Sequence, residues 1–524
     1  MNFLLEVILL PYKPTNPPGR KPAWAQTRLA YGYDDTEGTM DIKWSTGDAF
    51  YMVDASGQTI GGEFSISQGV GSKSASFTGT KPQGTTFKAF YPYSRAHNPY
   101  KGTSGLYETW ADCAFNVSGQ QQMGDDNTAH LSAYNFMTIT GEIDGENINE
   151  ASLNFKHEVA IFRFEITLNN TNAKPKQLQL KVRETDAHSA TGKHGFVIAQ
   201  KAADGALLQV SRTICMDLKD INTNEFVAYM AVLPGTLKGP MSVEVYYNED
   251  NGDVINKGMS RDITFANTTW EIEAGKIYHA KLEDGFTDIS DRVFYTGINA
   301  SNELGTRVGN PNRYVLKTAA DLKHLIENHH QYGEQGTNSV YFHLEPDIHV
   351  TADEWKPIGT SSQPLVHTLT SNLITTPIIS GKLINKNYDY FGFVGKLQRP
   401  GNSGSTIISL LHITADLLNK YSSPDVEVTI GSVVGQTSIM ISNCSAAGAI
   451  LPVGDSVIKS AGGLIGASVG GFMITNCIND CAIIYTSNYV GGIIGYRGGV
   501  SIPDLMNCKG LCKYPIGSYE GQGW

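Results

Sequence analysis

Residues 462–512 read GGLIGASVGGFMITNCINDCAIIYTSNYVGGIIGYRGGVSIPDLMNCKGLC and say nearly the same thing twice. Gly462-Gly463-Leu464-Ile465-Gly466 returns as Gly491-Gly492-Ile493-Ile494-Gly495, and Asn476-Cys477 returns as Asn507-Cys508. The pattern reaches upstream: glycine-ended apolar stubs also stand at 391–395 and 431–435, and Asn443-Cys444 is an earlier Asn-Cys pair. A fixed period near thirty residues marks a stacked repeat. No helical period of apolar residues fits inside a unit, so each unit is expected to be a coil of strands. In such a stack Leu464-Ile465 and Ile493-Ile494 bury one face of each coil against the next. Glycines let the backbone turn tightly where coils meet. Asparagines at equivalent corners are expected to hydrogen-bond from coil to coil. The neighbouring cysteines then act as small buried hydrophobes.

The remaining sequence is also strand-like. The chain has 524 residues, 41% hydrophobic and 17% charged, with 55 glycines. Short runs of Val, Ile, Thr, Tyr and Phe alternate with Gly, Asn and Asp clusters, the pattern of an all-β protein. Trp44-Ser45-Thr46-Gly47-Asp48 reads as a turn entering a buried strand at 49–53. Phe162, Phe164, Ile166 and Leu168 alternate with Arg163, Glu165 and Thr167, which predicts a strand with one buried face. Ala319–Glu327 is a short helix with Leu322, Leu325 and Ile326 on one side. The expected architecture is two tandem Greek-key β-sandwiches followed by a β-solenoid: 1–27 a leader or linker, 28–150 and 151–286 the sandwiches, and 287–524 the repeats.

Net charge is −11, which argues against nucleic-acid partners. No run approaches the ~20 apolar residues of a membrane helix. Residues 2–10 look like half an export signal, with Glu6 inside the apolar run and no basic residues before it. The expectations are that the true start lies upstream or that this stretch is a hydrophobic strand.

Several residue groups suggest a chemistry. Cys477–Cys481 and Cys508–Cys512 are Cys-x-x-x-Cys units that raise a four-thiolate zinc site, for which a two-residue gap is more usual. The expectation is instead that Cys444, Cys477 and Cys508 line one buried column and bind no metal, the odd count of 7 cysteines giving no clean disulfide framework. Asn248–Asp253 and Asp125-Asp126-Asn127 are expected to be turns rather than calcium sites. His157 is expected to be a structural histidine. No phosphate loop, His-Glu-x-x-His or Gly-x-Ser-x-Gly occurs, so no catalytic residue and no cofactor is assigned. Tyr485, Tyr489 and Tyr496 are candidates for stacking on sugar rings.

Two family resemblances follow. Residues 28–286 resemble the fimbrillin family, the two-sandwich pilins (type V pilus-like) and related surface lipoproteins of anaerobic gut and oral Gram-negative bacteria. Trp44–Asp48, Phe77-Thr78-Gly79, Phe90-Tyr91-Pro92-Tyr93, Leu153-Asn154-Phe155-Lys156-His157 and Ala231-Val232-Leu233-Pro234-Gly235-Thr236 carry the likeness. Residues 316–512 resemble GLUG-type repeats of bacterial surface adhesins, through Ala320-Asp321-Leu322, Trp355-Lys356-Pro357-Ile358-Gly359 and the later stubs. The usual turn is missing between Gln363 and Ile378, which leaves the first coil unassigned. The resemblances imply an exported protein at the cell surface or outer membrane, of adhesive or fimbria-associated type and not an enzyme. Implied partners are pilin subunits joined by strand donation, and a host or bacterial surface glycan or protein. Residues 11–36 are the expected detachable first strand, with Arg20 or Arg28 as a processing site. The alternatives are a surface glycan-binding protein linked to polysaccharide uptake and a β-helical polysaccharide-degrading enzyme. Asp455, Asp480 and Asp504 are too far apart in repeat phase for the latter.

Overall fold

The structure is a computed structural model. It describes residues 2–9, 13–14, 30–34, 39–54, 60–80, 84–91, 114–139, 142–144, 152–182, 194–202, 205–250, 252–264, 269–304, 306–307, 313–332, 340–372, 376–398, 407–421, 427–453, 456–470, 472–483, 489–498 and 504–510. Its described elements are almost all strands, as the alternating apolar pattern requires.

The first sheet runs in the order 137–139, 152–157, 2–9, 74–80, 60–68, 49–54, 86–91, and 137–139 also pairs with 86–91. The order therefore returns to its start, where a two-layer sandwich was expected. The short strand 137–139 reaches both neighbours, Met137 pairing with His157 on one side and Tyr91 on the other. Inside lies an aromatic cluster. Trp44 packs edge-on against Phe77 at 4.9 Å, Tyr91 at 5.6 Å and Phe155 at 6.4 Å, and Phe50 stacks on Phe64 at 5.2 Å. The Trp44–Asp48 motif now has a physical reason. Gly47 takes φ +85°, and the Asp48 carboxylate accepts the Ser45 amide at 2.6 Å and the Tyr91 hydroxyl at 2.9 Å. One buried carboxylate thus closes the turn and ties it to a strand 43 residues away.

Pairing crosses the 150/151 line in both directions. Strand 152–157 belongs to the first sheet, while 120–123 pairs with 213–219 and 114–116 with 196–201. A single hydrophobic cluster runs from Tyr33 to Phe286. Within it, strand 160–167 pairs with 225–232 and 276–282. This strand is buried on both faces at Arg163, which is 2% exposed, and not on one face as the alternation predicts. The guanidinium lies 4.4 Å from the Tyr33 ring, contacts Glu165 and His279, and donates from Nε to the Tyr229 hydroxyl. Charge pairing and ring contact make the burial tolerable.

Beyond residue 293 the pairing turns parallel, apart from the short antiparallel pair of 306–307 with 313–316. One ladder passes through 348–350, 378–385, 412–419, 445–452, 478–483 and 509–510. A second passes through 313–316, 341–344, 368–371, 408–409, 441–442, 473–475 and 504–506. Two shorter ladders begin at 390–391 and 394–397. Strand 368–371 falls inside the stretch between Gln363 and Ile378 that the sequence left unassigned, and it pairs in register with 341–344. Trp355–Gly359 is a divergent form of the glycine stub: Ile358 bridges Val394, and the Trp355 indole donates to the Gly392 carbonyl at 3.1 Å. The helix is Ala319–Asn328, started by a capping box between Thr318 and Asp321.

The stub glycines are needed for close approach. A Cβ on Gly462 would collide with the Ile465 carbonyl and the Gly495 amide of the next coil. The Asn corner is equally specific. Asn443, Asn476 and Asn507 take φ of 52–53°, and the amide of Asn476 donates to Asn443 and that of Asn507 to Asn476, each at 3.2 Å. Cys444 and Cys477 beside them are fully buried, and Cys508 is half-buried. Leu410 stands one coil earlier at the same corner, also left-handed at φ +60°. A leucine there costs roughly 1–2 kcal/mol. We expect Leu410→Asn to extend the ladder and raise unfolding free energy by about 1 kcal/mol, read from the urea midpoint; an unchanged or lower midpoint would contradict this account of the corner.

Candidate functional site

Strand 2–9 occupies the most distinctive place in the chain. It pairs antiparallel with 74–80, Asn2 opposite Thr80 through Ile8 opposite Ser74, and parallel with 152–157, Glu6 opposite Ser152 through Leu9 opposite Phe155. Both neighbours are distant in sequence, so no hairpin fixes the strand and the two ladders hold its register. Phe77 and Phe155, on the flanking strands, both belong to the aromatic cluster. Each flanking strand thus contributes an aromatic ring to that cluster. The strand between 74–80 and 152–157 is 2–9; of the expected first strand at 11–36, only 13–14 and 30–34 are among the described residues. Residues 13–14 pair with 276–277, and 30–34 forms a hairpin with 39–43. Arg20 and Arg28 lie outside the described residues.

A different device closes another edge. Gln120 donates to the Ala231 carbonyl and accepts its amide, both at 2.8 Å. Gln122 donates to the Val227 carbonyl at 2.7 Å and accepts the Tyr229 amide at 2.9 Å. Two side-chain amides imitate a strand along 225–232 and leave it no room to recruit one. Nearby, Asp125 accepts the Val227 amide, Asp126 the Tyr229 hydroxyl and Asn127 the Ala129 amide. His157 is buried against the Asn135 side chain at 2.8 Å.

A seam joins the sheet 174–182/213–219/241–248 to the first parallel ladder. At its centre Lys181, fully buried, meets Glu244 and, at 2.9 Å, Asp347. Burial alone would lower the ammonium's pKa, but the Asp347 and Glu244 charges hold it raised. Glu244 also accepts from Tyr246 at 2.6 Å and from Gln179 at 3.0 Å, and Asp347 accepts the Ile378 amide at 2.9 Å. Tyr246 stacks on His349 at 3.7 Å and 9°. Burial and the Lys181 and Lys382 charges push the His349 pKa down to about 3. Gln209 donates across the seam to the Ala447 carbonyl at 2.6 Å, and Lys382 pairs with Asp217 at 3.4 Å. Sequence reading missed these residues. Lys181 lies between Leu180 and Val182 on the face that hydropathy assigns to solvent, and only the second body of strands covers it.

The Tyr489 and Tyr496 rings lie 4.9 Å apart at 49°, both half-buried; Tyr485 lies outside the described residues. Among the described residues no group of three or more His, Cys, Asp or Glu side chains is placed to hold a metal ion. No helix among them is long and apolar enough to cross a membrane.

No protein-family profile matches the chain, and no curated protein does. Solved structures to which it is similar are adhesion and fimbrial proteins. A candidate cell adhesion protein from Bacteroides ovatus ATCC 8483 shares 14% identity over 54% of this chain and 95% of its own, with a TM-score of 0.31. The tip fimbrial protein Mfa3 from Porphyromonas gingivalis, truncated at its C-terminus, shares 10% identity over 55% and 98%, with a TM-score of 0.27. A fimbrial protein from Bacteroides ovatus ATCC 8483 shares 11% over 54% and 48%, with a TM-score of 0.24. At such scores no residue is equated between the chains.

Two outcomes follow from the seam. Lys181→Met strands two buried carboxylates and should cost about 3–5 kcal/mol of unfolding free energy in denaturant titrations; a loss under 1 kcal/mol would mean the triad is not buried in solution. His349 is held neutral when folded, so its contribution is present above its unfolded pKa and is lost as pH falls towards the folded value. Between pH 6.5 and 5 the protein should lose roughly 1.5 kcal/mol through this group. His349→Phe should flatten that slope in matched denaturation series, and an unchanged slope would exclude His349 as its source.

Proposed function

We propose that this chain is a non-enzymatic cell-surface protein of adhesive, fimbria-associated type, standing at the end of an assembly or alone rather than repeating along a shaft. Strand 2–9, seated between 74–80 and 152–157, carries the proposal. It completes a sheet without a hairpin, so a strand of similar pattern from another chain fits the same slot by β-strand addition. Cleavage at Arg20 or Arg28 would free it. On this proposal residues 287–524 form a β-solenoid, built on the parallel ladders.

A shaft subunit must donate a strand as well as accept one. Here the segment after strand 276–282 runs through 287–288, which pairs with 257–263, directly into the ladder body. That body is fastened by Lys181–Asp347 and by the Tyr246–His349 stack. A segment held at both ends by sheet pairing and a buried charge pair is a poor donor. The ladder body then projects outward, with Tyr489 and Tyr496 as its candidate glycan-stacking pair.

The test is electron microscopy of the chain trimmed after Arg28, incubated alone and with a polymerising fimbrillin-type pilin. Monomers alone, and single terminal additions to the pilin polymer, are expected. Long homopolymers would overturn the terminal placement, and failure of the trimmed chain to join any pilin would overturn strand acceptance.

A further inference from the structure

A cavity of about 80 Å³ lies in the seam, lined from both bodies. Room for one water takes roughly 10–15 Å³ on this measure, so it holds about five to eight water-sized positions. Two cross-strand pairs face each other over it. Gln177 stands opposite Asp217 in the antiparallel ladder, and Lys382 opposite Asp416 in the parallel one. Lys382 bridges to Asp217 at 3.4 Å at the mouth, where both side chains are partly exposed. Gln177 donates to Asp217 at 3.0 Å. Its own Oε1 is buried without a hydrogen-bond partner, in a residue only 6% exposed. Asp416 accepts the Ala449 amide at 2.9 Å, and burial raises its pKa. Ser211 and Thr213 add hydroxyls, and Ile198 and Ile214 an apolar patch.

Two carboxylates and an orphan amide oxygen lie in this lining, beside one ammonium that is already shared and the hydroxyls of Ser118, Ser211, Thr213 and Thr414, which donate or accept. An unpaired buried acceptor is costly unless something donates to it. A suitable occupant brings several O–H donors on a small frame, carries no negative charge, and offers a C–H face to the isoleucines. Adjacent hydroxyls of a pyranose meet these terms, and the exposed mouth lets a glycan chain leave the cavity.

We propose that this seam cavity binds a single neutral hexose unit, such as the terminal residue of a glycan, bridging the two bodies of the chain. The proposal goes beyond the surface-assembly reading and does not depend on it, because polymerisation tests strand 2–9 and leaves the cavity untouched.

The experiment uses the full chain with D-galactose, D-mannose, N-acetyl-D-glucosamine and D-glucosamine, followed by saturation-transfer NMR and thermal shift. At least one neutral sugar should bind saturably and raise the melting temperature. Gln177→Met and Asp416→Asn should each weaken that binding at least tenfold. If either variant unfolds, Lys382→Gln at the exposed mouth replaces it, with the same expected loss. Val70→Ala, at an exposed position outside the cavity lining, should leave binding unchanged. Absence of saturable binding by any neutral sugar, binding by glucosamine alone, binding that survives the cavity variants, or loss in Val70→Ala would each overturn the proposal.

Discussion

An all-strand chain has to dispose of its sheet edges. Every edge strand carries a row of N–H and C=O groups that must be paired, hydrated or covered. This protein uses a different answer at each edge, and its architecture follows from them. The first sheet closes through 137–139, which pairs on both sides. Closure also needs a strand between 74–80 and 152–157, and the segment 2–9 supplies it. Strand 225–232 is closed by the side-chain amides of Gln120 and Gln122, with Asp125 taking the Val227 amide. The parallel ladders hand each edge to the next coil, so the problem recurs only at the ends of the stack.

These answers differ in how easily they are undone. The glutamines are short side chains fixed by their own strand, and removing one leaves backbone groups without partners. The ladder strands are locked by close glycine contacts and, at 443, 476 and 507, by the Asn corners. Strand 2–9 has no hairpin and no repeat behind it. Its two ladders rest on backbone donors and acceptors that any extended backbone offers, between strands that carry Phe77 and Phe155.

Much of this was legible in the sequence, and the failures share a cause. The period of stubs and Asn-Cys pairs could be read because a left-handed corner strongly favours Asn, and close coil contact demands Gly. Leu410 hid one corner by filling the same backbone conformation with a residue that never advertises it. Trp355–Gly359 hid one stub behind Trp and Pro. The Trp44–Asp48 motif was legible as a turn, but its link to Tyr91 was not, because a hydrogen bond spanning 43 residues leaves no local period. Arg163 falls on the polar side of its strand's alternation, and Lys181 and Glu244 likewise stand between apolar neighbours, yet all three are buried. Alternation reports which face of one sheet is apolar; it cannot report that a second body of strands covers the polar face. The candidate site was therefore the least legible part, since both the strand slot and the seam are made by segments far apart in sequence.

The seam also decides what kind of mechanical object the chain is. Its contacts are mostly polar: the Lys181 triad, the Gln209 bond to Ala447, the Lys382–Asp217 pair and the Tyr246–His349 stack, with a small apolar cluster of Tyr246, Ile289 and Val293 beside them. Buried polar contacts specify one alignment more than they add stability, because a slipped alignment would leave charges unpaired at a cost of several kcal/mol. An apolar seam of the same area would tolerate sliding. The two bodies are thus held at one mutual register, and a load applied to the ladder body is passed through the sheet of 174–182 and 241–248 into the shared core. From there it reaches strand 160–167 and its neighbours, while strand 2–9 sits across that core in the first sheet. Firm registration at the seam and a strand 2–9 held without a hairpin are thus two contrasting ways in which this chain fixes its sheets.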